Sequence, residues 1–159
     1  MLHNASADGR TGIDIVRRLL DRGADVNERN KHFITPLAAA SKQGNLAIAR
    51  TLIKHGAEVN SRDKFGWTSL HRATQEGHID VVELLLDNGA DIHATQREGA
   101  TALHLTSGSG HLEIVRLLLE RGVSVQIRTV YGRTPSQLAL LFGQPKIAQF
   151  LSEYDVCGV

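Results

Sequence analysis

The sequence has a single cysteine, Cys157, among 159 residues. An internal disulfide is therefore excluded, which is typical of proteins from a reducing compartment. The first residues contain neither the basic region nor the apolar run of a secretory signal, and no apolar stretch approaches the roughly 20 residues of a membrane span. We therefore expect an intracellular protein, with the cytoplasm as its location, and no membrane partner.

An excess of one charge sign is also missing, because 18 basic residues face 17 acidic residues and the formal net charge is +1. A charge this small creates no strong field, and the sequence contains no continuous basic stripe, so we expect no nucleic-acid partner. The hydrophobic share of 42% is typical of a folded chain and argues against disorder. At this length the chain can bury a core as one domain.

Patterns of catalytic and metal-binding residues are missing as well. The sequence contains no phosphate-binding loop after a strand, no nucleophile elbow and no zinc-protease helix motif. The glycines of residues 107–110 lie between two predicted helices, where a phosphate site is not expected. Eight histidines leave a metal site as an alternative, but no cysteine or carboxylate set with ligand spacing accompanies His71 and His104. The preferred interpretation is that each of these two histidines bonds to the backbone of its turn and to the capping threonine beside it, Thr68 or Thr101. We expect no catalytic residue, no cofactor and no metal, and therefore no enzyme.

What the sequence does contain is a period of 33 residues. Threonine recurs at this step as Thr35, Thr68, Thr101 and Thr134, and glycine recurs as Gly44, Gly77, Gly110 and Gly143. Because many independent positions keep one register, the chain is built from internal repeats.

Each repeat reads as a pair of helices. Thr35 is placed to cap a helix and Pro36 stands at the helix position that tolerates proline best, so a short first helix is predicted over residues 36–42. Gly44 predicts a tight turn, and apolar spacing predicts a second helix over residues 46–53 that ends at a left-handed Gly56. A single pair cannot bury its apolar stripe, so neighbouring pairs must stack.

The repeat resembles the ankyrin-repeat family. Gly66, Thr68, Leu70, His71 and Gly77 stand where the ankyrin consensus has the same residues, and the repeat that follows matches equally well. The resemblance extends over nearly the whole chain. It implies an all-α solenoid of about five stacked helix–turn–helix repeats, joined by β-turn or hairpin-like connections. It also implies a protein-interaction scaffold without catalytic residues or cofactors.

We predict one ankyrin-repeat domain over residues 1–159, divided into a partial repeat at 1–29, repeats at 30–62, 63–95 and 96–128, and a C-terminal cap at 129–159. The first repeat needs a short insertion within residues 7–12, where we expect a long and mobile loop. Its start inside a repeat fits either a piece excised from a longer array or a native end. Phe33 replaces the glycine found at Gly66, so we expect a remodelled turn. The residues after Tyr154 are expected to fray.

In an ankyrin stack the turn tips and the exposed side of the first helices line a concave groove, and the resemblance implies that partners dock there. The residues predicted to bind a partner are Lys31, His32, Ile34, Lys64, Phe65, Trp67, Gln75, Arg97, Gly108, Ser109, Tyr131, Arg133 and Phe142. Exposed aromatic residues at tips are typical of interface hot spots. The alternative is that Phe33, Phe65 and Trp67 pack on one another and stiffen the turns. Gly108 and Ser109 are expected to leave a shallow place for a partner side chain.

The cations along this face favour an acidic or mixed peptide as the partner. We therefore predict a non-catalytic scaffold that binds another protein or peptide in the groove. The alternative is a regulatory or structural segment of a larger protein that docks on its own parent chain. We expect a monomer, because a capped solenoid offers no symmetric surface for closure.

Overall fold

A computed structural model of the chain describes residues 1–8 and 12–157. Within these residues the backbone forms ten α-helices and no strand. The helices are α1 (Leu2–Ala7), α2 (Gly12–Asp21), α3 (Pro36–Lys42), α4 (Leu46–Lys54), α5 (Ser69–Glu76), α6 (Ile79–Asp87), α7 (Ala102–Ser109), α8 (Leu112–Glu120), α9 (Pro135–Leu141) and α10 (Pro145–Cys157). The all-α helical solenoid predicted from the sequence is confirmed. The predicted long loop between α1 and α2 falls largely on residues 9–11, outside the described residues.

Helices α3, α5, α7 and α9 each begin after a threonine at the capping position. The Ala38 amide donates to the Thr35 hydroxyl oxygen over 3.2 Å, and Pro36 occupies the first turn of α3. Side-chain capping satisfies an amide that has no partner inside the helix. Gly77 ends α5 with φ +84°, a left-handed conformation that few residues other than glycine adopt. Residues close in sequence therefore determine where such a helix begins and where it ends.

The odd-numbered helices, which we call the first helices, pack side by side in one layer. The even-numbered second helices lie behind them and contact one another less extensively. Leucine at one repeat position is buried in three successive first helices, as Leu37, Leu70 and Leu103. Ile48, Val81, Ile114 and Ile147 are buried in the same way on the second helices. The 33-residue period therefore becomes a continuous core that only stacked pairs can form.

The tips, which we define as residues 31–34, 64–67, 97–100 and 130–133, are joined by backbone hydrogen bonds. Lys64 donates its amide to the His32 carbonyl over 3.2 Å, and Arg97 donates to the Phe65 carbonyl over 2.9 Å. Val130 donates to the Glu98 carbonyl over 2.9 Å. Successive tips therefore form a continuous row beside the first helices.

The turn at Phe33 is not remodelled, so that expectation is wrong. Phe33 adopts φ +61°, and its amide donates to the Asn30 carbonyl over 2.8 Å. Gly66 makes the equivalent bond to Asp63 over 2.9 Å, with φ +81°. A left-handed conformation costs a residue with a Cβ about 1–2 kcal/mol. The Asn30 side chain holds the turn in spite of this cost, because its Oδ1 atom accepts the amides of His32 and Ile34 over 2.8 Å and 3.1 Å.

The last helix pair differs from the others at both of its helices. Helix α10 exposes polar residues at Lys146, Gln149 and Glu153. Helix α9 and the residue after it instead expose Leu140, Leu141 and Phe142. Helix α10 also continues to Cys157, so residues 155–157, where fraying is expected, are helical in the structure.

Candidate protein-interaction groove

The structure places the thirteen predicted residues on the tips and at the C-terminal ends of the first helices. Those that are exposed are Lys31, Lys64, Phe65, Gln75, Arg97, Ser109, Tyr131, Arg133 and Phe142. Those that are partly buried are His32, Ile34, Trp67 and Gly108. Every predicted residue therefore keeps surface available on this side of the stack.

One depression of about 280 Å³ joins a tip to the ends of two first helices. It is lined by Lys42, Asp63, Phe65, Trp67, Arg72, Gln75 and Glu76. Phe65, Trp67 and Gln75, which the sequence predicted separately as tip and helix positions, thus face the same space. Asp63 and Arg72 were not among the predicted binding residues.

The floor of this depression is held by an ion pair. Asp63 accepts the amides of Phe65 over 2.8 Å and of Trp67 over 3.0 Å through Oδ1, and its Oδ2 pairs with the Arg72 guanidinium. The Asp63 side chain is only 3% exposed, so this pair is shielded from water. The Arg72 guanidinium lies 5.8 Å from the Trp67 ring centroid. Turn, helix and aromatic ring are therefore fixed as one unit before any partner arrives.

The aromatic residues of the tips contact cations and a histidine. Trp67 meets the His71 ring edge-on at 6.0 Å between centroids. Lys64 Nζ lies 4.8 Å and Arg97 Cζ 5.8 Å from the Phe65 ring centroid. In the described part of the chain, the ring–ring contacts do not pair Phe33, Phe65 and Trp67 with one another. The alternative of a mutual aromatic stack therefore gains no support, and Lys64 and Arg97 both make cation–π contacts with Phe65.

A second depression, of about 860 Å³, lies at the C-terminal end of the stack. It is lined by Tyr131, Gly132, Arg133, Gln137, Leu140 and Leu141. Tyr131 is 71% exposed and Leu140 is 61% exposed. Exposed apolar residues grouped in this way are typical of interaction surfaces.

Leu140 was missed by sequence reasoning, although the repeat register contains the signal. The same repeat position holds Ser41, Thr74 and Ser107, which are all fully buried. A leucine at a position that holds a small buried residue in the other repeats therefore indicates that the side chain has a different environment in the last repeat. Comparing the repeats position by position would have found it.

The predicted opening at Gly108 is partly filled by the protein itself. A Cβ atom built on Gly108 would lie 3.1 Å from the Phe142 ring. A side chain at Gly108 would require the Phe142 ring to shift by a few tenths of an ångström. The Phe142 ring therefore takes up part of the shallow place expected at Gly108, whereas Ser109 beside it is exposed.

His71 and His104 stabilise the repeats, as the preferred interpretation predicted. The Thr68 amide donates to His71 Nδ1 over 3.1 Å, which makes this nitrogen an acceptor and places the proton on Nε2. The His71 Nε2 proton is then donated to the Ala94 carbonyl of the next repeat over 3.0 Å. His104 repeats the pattern with Thr101 and the Arg133 carbonyl.

Burial lowers the pKa of His71 to about 4, against the opposing effect of its bond to the Ala94 carbonyl. Burial likewise lowers the pKa of His104, opposed by its bond to Arg133. Both rings are therefore neutral at pH 7, as the hydrogen-bond pattern requires.

His78 and His111 join neighbouring repeats near the C-terminal ends of the first helices. The His78 Nε2 atom lies 3.0 Å from the Lys42 carbonyl oxygen, and His111 Nε2 lies 3.0 Å from that of Gln75. A Cβ atom on Gly77 would lie 2.5 Å from the His111 ring, so only glycine fits there. These two histidines, like His71 and His104, therefore stabilise the packing of neighbouring repeats.

The structure groups no three His, Cys, Asp or Glu side chains as a metal site within residues 1–8 and 12–157. In the same ranges no helix has the length and apolar character needed to cross a membrane.

A family model described as ankyrin repeats (3 copies) matches residues 2–96 and again residues 91–158. The chain belongs to the ankyrin-repeat family. Ankyrin repeats are generally protein–protein interaction modules and generally lack enzymatic activity. No protein of curated function matches the chain.

Proposed function

We propose that this chain is a non-catalytic scaffold that binds a partner protein or peptide along the tips and the first-helix ends. The observation that carries the proposal is the depression at residues 63–76, which joins Phe65 and Trp67 of a tip to Lys42 and Gln75 of two first helices. An aromatic and charged surface that is fixed in advance binds at a lower entropic cost than a mobile one.

The charges on this face favour an acidic partner. Lys31, Lys42, Lys64, Arg97 and Arg133 are exposed beside Glu76 and Glu98, and the Asp63–Arg72 pair is neutral. Cations in excess raise the association rate of an anionic partner. We propose an intracellular protein that acts as a monomer.

The test compares captured proteins between variants. The biotinylated chain is incubated with a native extract, and bound proteins are quantified by mass spectrometry for the wild type, Tyr131→Ala and the Trp67→Ala, Tyr131→Ala double variant. Tyr131 is 71% exposed, so its truncation should leave the fold intact. The matched control is Lys54→Ala on the exposed face of α4.

The groove partners should be depleted from both tip variants and retained by Lys54→Ala. Circular dichroism and thermal unfolding confirm that each variant is folded. If the folded tip variants captured the same proteins as the wild type, the groove would not be the binding surface. Binding in cis to a parent chain would instead appear as capture of that chain alone.

A further inference from the structure

A row of three cations follows the tips at the 33-residue step. Lys31, Lys64 and Arg97 occupy the same repeat position and are all exposed. Within the described ranges, none of these three cations forms an ion pair with a protein carboxylate. The ion pairs there involve other residues, such as Arg72 and Arg121. These three residues, which we call the cation ladder, therefore keep their charge available to a ligand.

The next residue at this repeat position, beyond the cation ladder, is apolar. Val130 occupies the same repeat position in the last tip and is 67% exposed. Tyr131 stands beside it, and Leu140 and Leu141 lie in the adjoining depression. The row thus changes from basic to apolar at its C-terminal end.

The backbone fixes the distance between the steps. Each tip contains two backbone segments joined by a hydrogen bond, such as that from the Asp63 amide to the Trp67 carbonyl over 3.0 Å. The bond from the Arg97 amide to the Phe65 carbonyl, over 2.9 Å, joins one tip to the next. Two hydrogen-bonded steps of about 4.8 Å give a pitch of about 10 Å. Packed helices about 8–10 Å apart give the same value.

A polyproline II segment has the spacing that matches this pitch. It has three residues per turn and rises about 3.1 Å per residue, so every third side chain lies on the same side about 9 Å along. A β-strand instead presents every second side chain on one face, about 6.7 Å apart, and this spacing does not match the pitch of the tips. Polyproline II segments also have little conformational entropy to lose on binding.

We propose that the partner segment is an extended polyproline II stretch with acidic residues at three successive third positions and an apolar residue one step further. The carboxylates pair with Lys31, Lys64 and Arg97, and the apolar side chain packs on Val130 and Tyr131. This inference rests on the proposed function, because it names the partner of the same surface. Glu98 lies next to Arg97, so the third acidic contact is the weakest of the three.

Three fluorescein-labelled decapeptides test the spacing. The spaced peptide has Glu at positions 1, 4 and 7 and Leu at position 10, with Pro and Ser between them. The shifted peptide has the same composition with Glu at positions 1, 3 and 5, and the third peptide replaces the final Leu by Ser. Fluorescence anisotropy measures their binding to the whole chain at low and at moderate salt.

The spaced peptide should bind at least about tenfold more tightly than the shifted one, and its affinity should fall with salt. Lys64→Glu should abolish the preference for the spaced peptide. Lys54→Glu, the same charge reversal on α4, should retain it. Val130→Lys should remove the preference for Leu over Ser at position 10.

Equal affinity for the spaced and shifted peptides, or equal loss from Lys64→Glu and Lys54→Glu, would overturn the inference. Failure of all three peptides to bind would also overturn it. None of these results would decide the proposed function, because the comparison of captured proteins between Tyr131→Ala and wild type tests the surface without assuming a ligand spacing.

Discussion

Replacing His71 by glutamine separates the structural role of this histidine from its titration. The chain itself supplies the template for the substitution, because Gln137 stands at the same repeat position. There the Thr134 amide donates to Gln137 Oε1 over 3.0 Å, and the Gln137 amide donates to the Thr134 hydroxyl oxygen over 3.3 Å. The His71→Gln variant should therefore keep the cap at Thr68 and lose the bond to the Ala94 carbonyl.

At pH 7 this loss should lower the free energy of unfolding by about 1–2 kcal/mol, because a buried carbonyl loses its donor. Lowering the pH should then reduce the difference in stability between the two proteins, because only the wild type loses stability through His71. Burial lowers the pKa of His71 from 6.5 to about 4, so protons bind the unfolded chain first as the pH falls. The wild type then loses about 1.4 kcal/mol per pH unit through this residue between pH 6.5 and pH 4.

The cost to the wild type reaches about 2 kcal/mol at about pH 5 and about 3 kcal/mol near pH 4. Because the His71→Gln variant has no titrating group at this position, the two stability curves should cross between about pH 6 and about pH 5. His104 is retained in both proteins, and its contribution cancels in the difference.

Urea unfolding followed by circular dichroism between about pH 7.5 and about pH 4.5 measures both curves, and a constant dependence on urea checks that the same unit unfolds. His93→Gln, at an exposed position, is the control and should leave stability at pH 7 unchanged. Parallel curves for wild type and His71→Gln would refute the reasoning that a buried neutral His71 couples folding to pH.

Two further substitutions test the packing and the floor of the central depression. Leu52→Ala, at a fully buried position, should cost about 3 kcal/mol in urea unfolding. Leu141→Ala, at a position 57% exposed, should change it by less than about 0.5 kcal/mol. Similar losses from the two would contradict the assigned core. Asp63→Ala should cost about 3 kcal/mol, since two turn amides and Arg72 lose their acceptor. Asp63→Asn should lose less, and equal stability of Asp63→Ala and wild type would show that the ion pair does not hold the turn.

Much of the fold was predictable because each element has a local chemical cause. Thr35 and Pro36 begin a helix, Gly77 ends one, and the predicted first helix at residues 36–42 is the observed α3. The roles of His71 and His104 followed from their place beside Thr68 and Thr101.

The error at Phe33 came from considering one residue alone. A phenylalanine resists positive φ, but the Asn30 side chain accepts the amides of His32 and Ile34 and holds the turn in which Phe33 has φ +61°. The opening expected at Gly108 is partly filled for a reason that lies outside the local sequence. Phe142 is distant in sequence, and its ring reaches Gly108 only after the repeats have stacked.

The predicted binding positions were placed on a shared side of the stack because the repeat register carries every tip to the same location. Their contacts were not predictable. The Asp63–Arg72 pair, the position of Lys64 and Arg97 on the Phe65 ring, and the exposure of Leu140 all depend on distances between side chains from different turns or repeats.

The sequence by itself determined the period, the type and approximate limits of the helices and the family. It could do so because capping, turn formation and apolar spacing act over a few residues, and the period is a pattern of residue identities that needs no coordinates. The tertiary structure alone decided which side chains are exposed and which meet. Burial and side-chain contacts between repeats arise only when neighbouring repeats stack. Ser107 is therefore buried in the core, while Leu140, at the same repeat position, is exposed at the surface.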